Sequence, residues 1–259
     1  MLLWPYSFSA TCWLNVPLGA NAGVGFASAA AIVAHSSSYH VIVGSRSPIK
    51  GQEAVDKLRA EGVPGTVTTV QLEVQNPASV SAAVRAIDDE FGKLDVLVNN
   101  AGLMSFKTNY GQQLEEMFPI NTFAPLLVTN ACVPLLKKSK HPRIINISSD
   151  LSSIASTRDE RFHWSFKPAV TYRMSKAALN MLTVCQSLEF EEWGAKVWSY
   201  CPGFVVTNAW GDSEEKKQQM KESGAAEASD SGLGLLAIIN GERDADAGYF
   251  VNRSGRLKW

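Results

Sequence analysis

Gly19-Ala-Asn-Ala-Gly23-Val-Gly25 opens the first helical pattern of this 259-residue chain. Its glycines follow the spacing G-x3-G-x-G rather than the commoner G-x-G-x-x-G of dinucleotide-binding turns. At a turn from strand to helix, backbone N–H groups and the helix dipole can receive a pyrophosphate, and the glycines allow it to approach closely. Asn21 and Val24 stand within the same cradle. A tight turn without ligand would use the same glycines, so the flanking sequence has to decide.

Outward from the loop, short β-branched runs alternate with longer amphipathic stretches, the rhythm of βαβ units and a parallel sheet. The spacing predicts strands at 39–45, 66–73, 94–99, 143–148, 195–201 and 248–251. Helical patterns cover 23–35, 52–60 after Pro48, 77–91, 114–136, 172–193, 213–221 and 229–240. Leu179, Leu182, Cys185 and Leu188 repeat on one face of the fifth of these, which marks a helix buried along one side. There is no internal repeat, low-complexity tract or linker, so residues 1–259 are expected to form a single α/β domain.

With 46% hydrophobic residues the chain can bury one large core. Its 24 basic and 25 acidic residues are spread without blocks, for a net charge of −1, and leave no electrostatic footprint for nucleic acid or an anionic membrane. A small-molecule ligand is the expected partner. Cys12, Cys132, Cys185 and Cys201 have neither metal-ligand spacing nor a paired pattern, which fits a reducing compartment and no metal. Residues 1–18 are apolar but lack a basic n-region, and Pro5, Ser7, Ser9 and Asn15 interrupt them, so a secretory signal is not expected. No later stretch approaches the roughly 20 uninterrupted apolar residues that span a bilayer. The chain is expected to be soluble and cytoplasmic.

About twenty residues beyond the glycine loop, a residue that reads the ribose is expected at the end of the second strand. Here the chain has Gly44-Ser45-Arg46. A carboxylate at that place would bond the 2′-hydroxyl of NAD and repel a phosphate, whereas Arg46 can meet a 2′-phosphate with charge-assisted hydrogen bonds, so NADP(H) is favoured. Lys50 can assist. Further along, Tyr172-Arg-Met-Ser-Lys176 places a phenol and an ammonium one helical turn apart, where both can face one cleft. A fixed positive charge beside a tyrosine favours the phenolate and lowers its pKa, which suits acid-base chemistry on a carbonyl.

With the glycine loop, Asn99-Asn-Ala-Gly102, Ser148-Ser149, Tyr172-x3-Lys176 and Pro202-Gly203 in this order, the chain resembles the short-chain dehydrogenase/reductase family from about Gly19 to the C-terminus. The resemblance implies a Rossmann-type doubly wound fold with a seven-stranded parallel sheet and helices on both faces. It also implies a bound nicotinamide cofactor and a homodimer or homotetramer built on the two long helices. By the same resemblance, Tyr172 is the catalytic acid-base, Lys176 lowers its pKa and bonds the nicotinamide ribose, and Ser149 holds the substrate oxygen. Asn121 matches the helix asparagine that anchors a water joining Lys176 to solvent. Asn99 lies beside the adenosine ribose, Ala101 and Gly102 let the backbone lie close to the cofactor, and Glu73 stands where the family usually has an aspartate near the adenine. Pro202-Gly203-Phe-Val-Val-Thr207 resembles the loop over the nicotinamide, with Val205 and Thr207 among its binding positions.

The pattern breaks in two places. Pro17-Leu18 precede Gly19 where the family has a strand running into a threonine, and proline removes an amide donor that a central strand needs. Cys12, Leu14 and Val16 could alternate as that strand, so residues 1–18 form an atypical start. Between Ser149 and Tyr172, the chain is longer than the family's spacing, and Arg158, Arg161, Phe162, His163 and Trp164 are expected in a loop beside the substrate mouth. Residues from about 206 to 228 form the expected substrate lid. The first reading is an NADP(H)-dependent oxidoreductase that interconverts a ketone or aldehyde and an alcohol. Two others stand beside it: a cofactor-binding protein without catalysis, and an alcohol dehydrogenase that prefers NAD.

Overall fold

The computed structural model describes residues 9–11, 23–158, 169–206 and 213–259, the first three by their backbone. Gly19, Asn21 and Thr207 lie outside the described residues, as do Cys12, Leu14, Val16, Arg161, Phe162, His163 and Trp164. The first strand, β1 (Ser9–Thr11), precedes the alternation expected at positions 12–16. The helix α1 (Val24–His35) then leads to β2 (Tyr39–Ser45), whose residues beyond Tyr39 are all buried, as a parallel strand covered on both faces requires. The helix α2 (Pro48–Ala60) begins four residues before the sequence pattern suggested. Pro48 has a fixed φ suited to the first helical position, and the Ser47 hydroxyl accepts the N–H of Lys50.

β3 (Thr66–Gln71) and α3 (Pro77–Phe91) follow, the latter capped by Asn76 at its start and by left-handed Gly92 at its end. After β4 (Val96–Asn99), the long helix expected over 114–136 is instead two helices, α4 (Tyr110–Phe118) and α5 (Ala124–Leu136), joined by a π-helical turn at Pro119–Phe123. The cause is Pro125, which has no N–H to donate to Asn121, so the ladder widens and Ala124 N bonds Pro119 O five residues back. The run Tyr110–Leu136 is long and apolar enough to cross a bilayer by length and hydropathy. In this fold it is a core element, with Met117, Val128, Cys132 and Leu135 buried.

β5 (Arg143–Ile147), the short α6 (Ile154–Thr157), α7 (Val170–Glu189), β6 (Lys196–Tyr200), α8 (Glu214–Glu222), α9 (Ala228–Ile239), β7 (Phe250–Asn252) and β8 (Gly255–Arg256) complete the chain. Strands β1, β2 and β3 pair in parallel, as do β4, β5, β6 and β7, while β8 turns back antiparallel on β7. The seven parallel strands implied by the resemblance are thus present as two ladders, of three and four strands, and the antiparallel β8 extends the second to five. β1 lies alongside β4 at the seam. Strand order reverses there, and in such sheets the crevice beyond the strand ends is where ligands bind.

Alternate residues of the central strands face opposite layers. Leu97, Ile144 and Val197 pack with α3 and α5, whereas Val98, Ile145 and Trp198 pack with α1 and α9. Close contact of α9 with its neighbours needs glycine. A Cβ at Gly234 would lie 2.1 Å from the Tyr200 hydroxyl, and one at Gly232 would lie 2.8 Å from the backbone oxygen of Ala27 in α1.

His40, on β2, is held between the hydroxyls of Thr66 and Thr68 at 2.7 and 2.9 Å. Burial, with Arg59 adding to it, pushes its imidazole down to about 4. The folded state therefore keeps His40 neutral at pH values where the unfolded chain takes up a proton. Stability contributed by this site is complete above the ordinary imidazole value and declines as pH falls toward 4. The expected loss is on the order of 2 kcal/mol, seen as a melting temperature that drops between pH 7 and pH 4.5 and drops less in His40→Gln.

Candidate active site

The site forms where β4, β5 and β6 end and α7 begins. Tyr172 sits in the first turn of α7, half-buried, and Lys176 lies one turn on, on the same face and only 3% exposed. Lys176 Nζ donates to Ile147 O at 2.7 Å, at the end of β5. Gly102, after β4, closes the other side: a Cβ there would stand 3.2 Å from Lys176 Nζ and 3.4 Å from Asn121 Oδ1. No larger residue fits between them without displacing a buried ammonium.

Asn121 is fully buried in the π-turn. Its amide accepts from Leu103 N and donates to Leu103 O, both at 2.9 Å, and donates to Ser175 Oγ at 3.0 Å. It therefore ties the loop after β4 to α7. Thr122 adds a bond from its hydroxyl to Ser175 O at 2.9 Å. The widened turn created by Pro125 thus has a positional consequence, bringing Asn121 to the backbone beside Gly102.

Ser149 follows β5 in extended conformation and its hydroxyl caps Leu151 N at 3.3 Å. The same hydroxyl lies near enough to Tyr172 to favour its ionised form. The expected lowering of the phenol pKa is not what this geometry produces. Burial pushes the Tyr172 phenol above its ordinary value, Cys201 and Asp150 add in the same direction, and only the Ser149 hydroxyl opposes them. Lys176, held on Ile147 O, is itself pushed down to about 8 by burial. Tyr172 is accordingly a protonated phenol at neutral pH, a donor in waiting rather than a phenolate.

The other expected positions within the described residues lie at helix starts and strand ends. Gly23 caps α1 with φ 93°, a left-handed conformation that favours glycine, and Val24 and Gly25 begin the helix. Asn99, Ala101 and Val74 line a small cleft with Asn100 and α5. Glu73 is exposed just beyond β3. Gly203 has φ 83° after Pro202, and Val205 is buried where its backbone bridges to Ala226.

Two of the expected positions have their side chains committed within the protein. The Asn99 amide Nδ2 donates to Thr129 Oγ1 at 2.9 Å and Asn146 Oδ1 at 2.8 Å, because Asn99 follows the facing of Leu97 into the layer of α5 and α7. Its contribution to the cleft is backbone. Ser45 is buried and its hydroxyl donates to Ser47 O at 2.8 Å, so it shapes the turn before α2. Arg46 and Lys50, by contrast, are exposed at that turn and form no ion pair among the described residues.

Supporting residues absent from the sequence reading also emerge. Gln113 of α4 is buried, donating to Lys107 O and accepting from the hydroxyl of Thr171, the neighbour of Tyr172, each at 2.5 Å. Arg173 of α7 reaches Leu151 O at 3.2 Å and Thr157 Oγ1 at 2.9 Å. Neither has a local motif, since each acts through partners distant in sequence. At the base of the expected lid, Val206 N bonds Ala226 O at 3.0 Å and Ala226 N bonds Phe204 O at 2.9 Å, so α8 is an excursion pinned at its root.

Comparison with known proteins agrees with this geometry. A family model described as short chain dehydrogenase matches residues 16–218. The chain is 30% identical to "Short-chain dehydrogenase/reductase tropE" of Talaromyces stipitatus over 93% of its own length and 95% of that protein. It is also 30% identical to the (+)-neomenthol dehydrogenase of Arabidopsis thaliana, over 74% of this chain and 83% of that one. Among solved structures, NADPH-bound carbonyl reductase from chicken fatty liver superposes with a TM-score of 0.78 at 31% identity, covering 96% of this chain and 98% of that one.

Proposed function

This chain belongs to the short-chain dehydrogenase family of nicotinamide-dependent oxidoreductases, and we propose that it is an NADP(H)-dependent reductase of ketones or aldehydes. The observation that carries this reading is the protonated phenol of Tyr172 beside Ser149, with buried Lys176 on the same helix face. Reduction of a carbonyl builds negative charge on its oxygen. A hydroxyl already in place stabilises that charge, and an acid close by completes the alcohol.

The residues fit a nicotinamide dinucleotide. Left-handed Gly23 opens α1 without a side chain, Gly102 keeps the backbone beside Lys176 and Asn121 clear, and Arg46 with Lys50 offers exposed positive charge. When bound, the cofactor supplies the hydride. In this reading Ser149 Oγ orients and donates to the substrate oxygen, and Tyr172 Oη delivers the proton. Lys176 binds the ribose and supplies positive charge behind the phenol, while Asn121 holds the Gly102–Leu103 backbone in place. Arg46 selects the phosphorylated cofactor by charge-assisted hydrogen bonds to a 2′-phosphate. The likeness to an NADPH-bound carbonyl reductase supports both the cofactor and the direction.

A homodimer or homotetramer belongs to the same proposal. Phe123, Leu126 and Leu127 at α5, and Met174, Met181 and Leu188 on α7, are apolar and exposed on the two long helices; the α7 face expected to be buried is thus exposed at Cys185 and Leu188, and the buried face carries Lys176, Leu179, Thr183 and Gln186 instead. A panel of aliphatic, aromatic and cyclic ketones and aldehydes, followed by loss of NADPH absorbance, tests the function. Turnover of at least one member, faster with NADPH than with NADH, is the expected result. Binding of NADPH without turnover of any member would favour the cofactor-binding reading instead.

A further inference from the structure

The geometry points to Cys201 as a positioning residue whose sulfur joins the turn carrying Ser149 to the Pro202-Gly203 turn, setting how these two walls of the site face each other. This inference rests on the functional reading above, which makes those turns the substrate-oxygen and nicotinamide walls. Cys201 directly follows β6, where its N–H bonds Val251 O at 2.8 Å, so its backbone is held by the adjacent strand. Its side chain is 3% exposed. Sγ accepts the N–H of Asp150 at 3.1 Å from one side and that of Gly203 at 3.4 Å from the other.

Sulfur is a weak acceptor, yet here it meets backbone amides on two separate loops, one on either side of the reacting region. Other contacts hold the serine segment on either side of Asp150: Ser148 N bonds Tyr200 O at 2.8 Å, Ser148 Oγ donates to Asn180 Oδ1 at 2.7 Å, Asn180 Nδ2 donates to Ser152 Oγ at 2.7 Å, and Arg173 holds Leu151 and Thr157. Among the described residues, the Cys201 sulfur is the side-chain atom that bonds both the Asp150 and the Gly203 amides. Burial pushes the thiol up to about 12, so it remains a neutral acceptor rather than a nucleophile. An alanine would leave both amides without this partner. A serine oxygen, on a shorter bond, would recover part of the contact.

The test compares Cys201→Ala, Cys201→Ser, Asp150→Pro and Asp150→Ala with the wild type. Proline at 150 removes the donor without touching the buried thiol, and it is tolerated because Asp150 is the first residue of a 3₁₀ turn and Ser149 before it is extended. Expected for Cys201→Ala is a kcat lower by about tenfold, with carbonyl KM changed much less, since misplacement of an oriented group acts on the chemical step. Cys201→Ser should recover part of that loss. Asp150→Pro should reproduce it and Asp150→Ala should not. Hydrogen exchange in segments 149–153 and 202–206 should quicken together in Cys201→Ala.

A folded Cys201→Ala that keeps wild-type kcat overturns the inference. So does a serine variant no better than alanine with kcat and melting temperature falling in step, the mark of a merely structural residue. If Cys201→Ala does not fold, the proline and alanine variants at 150 decide. If the wild type reduces no carbonyl, the functional reading fails separately. The joint then stands if both segments exchange faster in Cys201→Ala and NADPH binds more weakly by fluorescence titration, and falls if neither changes.

Discussion

Tyr172→Phe should lose turnover by about 10²–10⁴-fold on any carbonyl the wild type reduces, the range expected for removing one positioned acid. NADPH affinity should stay close to the wild-type value, because the ring and its packing remain. The loss should fall on kcat and kcat/KM alike, since the proton is needed only as negative charge develops on oxygen. The pH profile adds an independent reading. Burial keeps the phenol above its ordinary value, so Tyr172 stays protonated throughout the neutral range, whereas Lys176 is pushed down to about 8. As pH rises through about 8, Lys176 loses its charge, and kcat/KM for reduction should fall with it. A Tyr172→Phe enzyme that still reduces its substrate at a comparable rate would remove the acid assignment.

The second large effect is expected at the exposed turn after β2. Arg46→Asp exchanges a cation that can meet a 2′-phosphate for a carboxylate that repels it and can bond a 2′-hydroxyl. Charge-assisted hydrogen bonds contribute roughly 1.5–3 kcal/mol, so NADPH affinity should drop by at least about tenfold while NADH affinity holds or improves. Fluorescence titration with both cofactors reads the change directly. Arg46 is exposed and outside the core, so the melting temperature should be nearly unaltered. Equal wild-type affinities for the two cofactors would take Arg46 out of its assigned role.

How much of this was legible beforehand depends on whether the signal was local. β2 and α3 fall where the pattern placed them, at Tyr39–Ser45 and Pro77–Phe91, because alternation, Asn76 and Gly92 are all contained in the segment itself. Tyr172 and Lys176 share a helix face because a fixed period relates them. The split of the 114–136 helix was harder to read. Its apolar pattern continues across the π-turn, and only the missing N–H groups of Pro119 and Pro125 mark the interruption. The side-chain partners of Asn99 and Ser45 were illegible for a related reason, since they lie on other strands and turns and leave no trace in the residue's own neighbourhood.

The order of glycines, Asn121, Ser149, Tyr172, Lys176 and Pro202-Gly203 along the chain determined the family and the doubly wound sheet, because each motif encodes a local backbone or side-chain requirement. Tertiary structure alone decided the proton's resting place. The direction of the Tyr172 shift depends on burial and on Cys201, Asp150 and Ser149 gathered from two strand ends. Tertiary structure also decided that Lys176 bonds Ile147 O and that one sulfur lies between two turns. Desolvation and long-range hydrogen bonding are properties of the packed whole, and no spacing along a chain specifies them.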